Sequence, residues 1–159
     1  MKKIRKILVT TDFSPLSAAG AEYARMLART FRAQLCLAHV LEAPVSVGEP
    51  NIDLAYAGVW PAIEENAKRD LRTFASRKLR GVRNLELRLL EGMAHDQIVR
   101  FAGDRGFDLI VMATHGRTGL AHLLIGSVAE RVARHSPVPV FLVKPEKMRR
   151  AIPRRRIRK

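Results

Sequence analysis

Apolar positions along the chain follow two alternating periods. Short aliphatic and β-branched runs, such as Ile7-Leu8-Val9 and Leu109-Ile110-Val111-Met112-Ala113, alternate with longer stretches in which apolar residues return every three or four positions. The runs predict strands over residues 4–10, 34–40, 85–90, 109–113 and 138–143. A first helix should begin at Ser14-Pro15, a capping serine followed by a proline suited to the opening turn, and continue to about Phe31. Leu16, Ala19, Tyr23, Leu27 and Phe31 would form its buried face. A second helix over residues 60–78 presents Ile63, Ala67, Leu71 and Phe74. A third follows Gly92 through Ile98, Val99 and Ala102 and ends near Gly103 or Gly106, and a short fourth runs from Ser127 to His135. Residues 41–58, with Pro44, Gly48 and Pro50, read as a long connection that could gate a site.

Five strands separated by four helices predict a parallel sheet with helices on both faces, a three-layer α/β/α fold. The unbroken apolarity of residues 109–113 marks a central strand covered on both sides. In open sheets of this kind ligands bind beyond the carboxyl ends of the strands, where the strand order reverses. That rule selects residues 10–14, the chain after Val40, and residues 113–127.

A length of 159 residues fits one domain, over residues 1–144, followed by a basic, flexible tail at 145–159. Hydrophobic residues are 47% and aromatic residues 6%, so the core should be aliphatic. Lys and Arg number 29 against 15 Asp and Glu, a formal charge of +14. Residues 144–159 alone hold nine basic residues and one acidic one. Such a segment either binds an anionic partner, nucleic acid first among them, or is simply solvated. The basic start of the chain lacks the apolar stretch of an export signal, and no run approaches a membrane-spanning length. The single cysteine, Cys36, excludes an intramolecular disulfide and suits the cytoplasm.

Two loops carry the candidate chemistry. Thr10-Thr11-Asp12-Phe13-Ser14 places a carboxylate and hydroxyls at the lip of the expected cleft, where Asp12 either accepts ribose hydroxyls or only caps the following helix. The second, Ala113-Thr114-His115-Gly116-Arg117, closes with Gly126-Ser127-Val128 at a helix start. Glycines admit an anion close to the main chain, and a helix N-terminus offers unpaired N–H groups. Together they describe a phosphate cradle, although neither G-x-x-x-x-G-K-[ST] nor G-x-G-x-x-G is present.

The run Ala113-x2-Gly116-x9-Gly126-Ser127 resembles the G-x2-G-x9-G-[ST] pattern of nucleotide-binding universal stress proteins. The likeness extends to Thr11-Asp12-Phe13-Ser14, His39-Val40 and Pro137-Val138-Pro139-Val140, and spans residues 4–144. It implies a Rossmann-like fold of the adenine nucleotide alpha hydrolase-like kind, holding ATP or a related adenine nucleotide; the residues themselves offer no metal site beyond a Mg2+ arriving with a triphosphate. The phosphates would lie over Gly116, Gly126 and Ser127, Asp12 near ribose and adenine, and Val40 against the base. Thr10, Met112 and Val128 match neighbouring contact positions. The pattern's first glycine is Ala113 here, which weakens binding if that position needs positive φ or lies against the ligand.

Arg117 is a candidate phosphate contact and His115 a candidate acid or base, both on a loop where solvated side chains are common. Any catalysis should be slow ATP hydrolysis or self-phosphorylation, because no paired base and nucleophile adjoin the cradle. His39 and Cys36 read as buried residues of the second strand, and Tyr56 and Trp60 as packing residues or a lid. The family likeness implies a stress-response sensor and a homodimer, and the apolar strand at residues 138–143 offers a sheet edge for pairing two copies. The alternative is a dimeric scaffold without nucleotide, acting through its surface and tail.

Overall fold

A computed structural model describes residues 3–42, 50–114 and 125–144, with residues 50–57 as backbone only. The elements in order are β1 (Lys6–Thr10), α1 (Pro15–Phe31), β2 (Gln34–Leu41), α2 (Pro50–Lys78), β3 (Leu85–Glu91), α3 (Ala94–Asp104), β4 (Leu109–Ala113), α4 (Ser127–His135) and β5 (Val140–Val143). All strand pairs are parallel, in the order β3-β2-β1-β4-β5. The chain builds outward from β1 to β3, then crosses to the other side of β1 to add β4 and β5. The strand order therefore reverses between β1 and β4.

Alternation along the strands sorts the core into two layers. Ile7, Val9, Leu35, Leu37, Leu109 and Val111 pack with Ala21, Ala24 and Ala28 of α1, Leu71 and Ala75 of α2, and Leu79 just beyond its end. On the opposite face Leu8, Cys36, Ile110 and Met112 meet Ile98 and Ala102 of α3 and Ala129 and Val132 of α4. Helices thus cover both faces, as the sequence pattern predicts. β4 is interior, although β1 takes the middle of the sheet.

α2 departs from expectation by starting at Pro50, so much of the predicted connection is helical backbone, and Pro61 lies inside the helix. The apolar spacing that marks the helix begins only near Ile63, so its earlier turns carry no such signal. The helix accommodates Pro61 in the interior, where it forfeits one backbone hydrogen bond. Residues 43–49 lie outside the described residues. β1 begins at Lys6, its register opening with Lys6 opposite Gln34. β5 begins at Val140 because Pro137 and Pro139 have no N–H to donate, although the Pro139 carbonyl still accepts the N–H of Ile110 at 3.0 Å.

One close approach fixes α1 on the sheet. A Cβ added at Gly20 would stand 3.2 Å from the backbone nitrogen of Ala113 and 3.4 Å from the carbonyl carbon of Met112. A side chain here would require the helix or the end of β4 to give by a few tenths of an ångström.

Candidate functional site

Thr10 and Thr11 are buried where β1 ends, and the Thr11 N–H donates to the Ala38 carbonyl at 3.0 Å. The Thr11 carbonyl lies 2.8 Å from Nδ1 of His39. A carbonyl can only accept, so Nδ1 carries the proton in that bond. His39 is therefore a hydrogen-bonded buried residue, as the sequence suggests.

The loop into α1 is held by its own side chains. Thr11 Oγ1 accepts the Phe13 N–H at 3.0 Å and lies 2.9 Å from Ser17 Oγ, while Ser17 Oγ donates to the Ser14 carbonyl at 2.9 Å. Asp12 Oδ1 accepts the Ser14 N–H at 3.1 Å and the Ser14 hydroxyl at 2.6 Å. Ser14 Oγ in turn caps α1 by accepting the Ser17 N–H at 3.1 Å. One carboxylate oxygen of Asp12 thus holds the capping residue Ser14 in place.

Between these residues Phe13 adopts φ 66, a left-handed conformation that an aromatic residue takes only when its surroundings impose it. Its ring supplies the reason, with centroids 4.2 Å from His39 and 6.1 Å from Phe74. The sequence gives no sign of this conformation. Gly20 was missed too, though the small-residue run Ala18-Ala19-Gly20-Ala21 was a usable signal.

Across the strand-order reversal, Met112 and Ala113 are buried at the end of β4. Ala113 is not among the described residues with positive φ, so glycine is not needed there for backbone reasons. It shares its strand face with Leu109 and Val111, the face beneath α1 and α2. Thr114 follows, its N–H donating to Val143 O at 2.9 Å and its carbonyl accepting the Gly126 N–H at 2.6 Å.

Gly126 is the N-cap of α4, extended at φ −72 and ψ 154, and no side chain caps this helix end. Helix geometry leaves the first-turn N–H groups of Ser127, Val128 and Ala129 without intrahelical acceptors. Ser127 is exposed and Val128 half-buried. The one acidic residue of the first turn, Glu130, is paired with Arg134 at 2.8 Å. A glycine, a serine hydroxyl and a helix N-terminus facing the end of β4 have the donor chemistry that a phosphate requires. His115, Gly116 and Arg117 lie outside the described residues, as does the tail at 145–159 and the Tyr56 side chain.

Val40 is half-buried near the end of β2, against the α3 and α4 side of the core. Among the described residues no cluster of three His, Cys, Asp or Glu side chains could hold a metal ion, and no helix is long and apolar enough to cross a membrane. Burial pushes the Cys36 thiol up to about 12, with Glu86 adding to the shift, so it is an inert core residue. A groove of about 440 Å3 opens between Phe13, Ser14, Pro15 and Ala18 and the α2 residues Asp70, Thr73, Phe74, Arg77 and Lys78. It touches the β1 loop but not α4, so it is distinct from the expected cradle.

The profile of the Universal stress protein family matches residues 3–144. A universal stress protein of Methanocaldococcus jannaschii, MJ0531, is 36% identical over 149 residues, covering 90% of this chain and 84% of that protein. The solved structure of MJ0577, from the same organism, superposes with a TM-score of 0.74 at 29% identity, covering 91% of this chain and 99% of the other. A universal stress protein solved in complex with cAMP gives a TM-score of 0.65 at 26% identity, over 90% and 98% of the two chains.

Proposed function

Because the chain belongs to the universal stress protein family, we propose that it binds an adenine nucleotide between the ends of β1 and β4 and works as a stress-response sensor. Occupancy would change its surface or its assembly. The observation that carries this reading is the hydrogen bond from Gly126 to Thr114, which sets the uncapped start of α4 against the end of β4 at the reversal of strand order. The family relative solved with cAMP supports the ligand class.

In this reading the nucleotide's phosphates, ATP with Mg2+ in its fullest form, supply negative charge to α4. The N–H groups at its first turn and the Ser127 hydroxyl receive that charge, with Gly126 keeping the approach open. Gly116 and Arg117 complete the cradle from the sequence motif, beside His115. Asp12 takes the ribose, Val40 the base, and Thr10, Thr11, Met112, Ala113 and Val128 line the floor. Mg2+ would be carried in by the phosphates. The protein's place is the cytoplasm, where adenine nucleotides are abundant.

β5 is a sheet edge, and Phe141 on it is 40% exposed. We assign it to pairing with a second copy about a two-fold axis, which would bury Phe141 and satisfy the open backbone edge. The engagement of Asp12 by Ser14 favours the alternative of a scaffold without nucleotide. Mass spectrometry of small molecules released from freshly purified protein separates the two. A retained adenine nucleotide supports the sensor, and none retained or taken up on incubation with ATP supports the scaffold.

A further inference from the structure

The end of the sheet opposite the cleft is a basic pole assembled from three separate segments. The Gln34 N–H donates to Arg5 O at 2.8 Å and the Leu35 N–H to Asn84 O at 2.9 Å, tying together the starts of β1, β2 and β3. The Arg29 guanidinium reaches Arg80 O at 3.4 Å, so the ends of α1 and α2 close on the same pole. Residues 3–6, 29–34 and 77–84 hold nine lysines and arginines and no aspartate or glutamate.

Arg5, Arg29, Arg32, Arg80 and Arg83 are all exposed. None of the five is in an ion pair among the described residues. The carboxylates that reach the pole have partners other than these five side chains: Asp108 accepts the backbone N–H groups of Arg5 and Lys6, Glu22 pairs with Lys78, and Glu86 pairs with Arg88 and Arg105. Phe31, between Arg29 and Arg32 in the chain, is 39% exposed.

We propose that this pole binds a single-stranded polynucleotide through its phosphodiester backbone, with Phe31 as a stacking surface for one base. The chemistry is specific to that partner in three respects. Guanidinium forks match phosphate oxygens in pairs, whereas a solvated cationic face is more often built from lysine. An exposed aromatic ring at the end of α1, adjacent in sequence to Arg32, suits an unpaired base, which duplex would not offer. An anionic membrane would call for a row of large apolar residues to insert beside the charges, and this pole presents one ring. The site is separate from the nucleotide cleft and does not depend on it.

The test uses the full chain and a labelled oligouridylate or oligothymidylate, read by fluorescence anisotropy over a series of salt concentrations. In one variant Arg5→Gln, Arg32→Gln and Arg83→Gln are combined, since none of these side chains makes a hydrogen bond among the described residues. The control combines Lys68→Gln, Arg69→Gln and Arg72→Gln on the outer face of α2, removing the same charge. The pole variant should bind roughly tenfold more weakly and lose about two units of salt slope, about 0.7 per phosphate contact. The control should change little, and Phe31→Leu should cost about fivefold. Equal weakening in both triple variants, or undiminished binding by the pole variant because the tail carries it all, would overturn the proposal. So would a pole variant that loses phosphatidylserine vesicles while keeping the oligonucleotide.

Discussion

The carbonyl oxygen of Thr114 accepts the N–H of Gly126 at 2.6 Å, fastening the end of β4 to the start of α4. This bond sets the first turn of α4 beside the end of β4. Because Gly126 is extended at negative φ, alanine can adopt its backbone conformation. Gly126→Ala should therefore fold normally yet bind ATP about tenfold more weakly, since its methyl group enters the anion's space. Titration calorimetry on both proteins checks this, and equal affinities would detach the cradle from α4.

Ala113 bears on the same site from the other strand face. Its methyl group lies on the α1 and α2 side of the sheet, while α4 packs on the opposite side. Ala113→Gly should then alter nucleotide affinity by less than about threefold, a free-energy change well under 1 kcal/mol. A large gain in affinity would mean that the methyl group meets the ligand.

Gly20→Val tests the close approach of α1 to β4. Glycine is normally a liability within a helix, and replacing it should stabilise. Here the new side chain would press on the backbone of Ala113 and Met112, in a strand hydrogen-bonded on both sides. Destabilisation of about 1–3 kcal/mol is expected from overpacking, measured by urea denaturation. A gain in stability would show that helix and sheet can separate freely.

Ser14→Ala removes the cap of α1 and one partner of Asp12. The cost should be about 1 kcal/mol, lowering Tm by about 2–4 °C in a chain of this size. An unchanged Tm would mean that the cap is replaced by solvent at no cost.

Cys36 supplies a pH test with a defined sign. Burial pushes its thiol up from the ordinary 9.0 to about 12 in the folded chain. Between these values the unfolded chain loses a proton that the folded chain keeps, so this residue's contribution to stability falls as pH rises above about 9. The stability gap between wild type and Cys36→Ala should narrow over that range and stay constant below it. A gap independent of pH would place the thiol in contact with solvent.

Much of the architecture was legible in the sequence because burial on both faces leaves unbroken apolar runs. Residues 109–113 and the helix from Ser127 to His135 stand at their predicted bounds. The start of α2 was not legible, because Pro50 and Pro61 are both compatible with an opening turn and a proline alone does not mark which turn is the first. At the site, residue types and spacing indicated Gly126 and Ser127. They offered a local capping role for Asp12 as one of two readings, and could not indicate that packing against His39 holds Phe13 at positive φ. The Phe13 conformation arises from contacts of the β1 loop with β2 and α2, far apart in the chain.

The most direct test of nucleotide binding is calorimetric titration of the wild-type protein with ATP and Mg2+. Saturable heat with one nucleotide per chain, sharply reduced in Gly126→Ala, is the predicted result. Absence of saturable heat at millimolar ATP, from protein first stripped of any retained nucleotide, would contradict it.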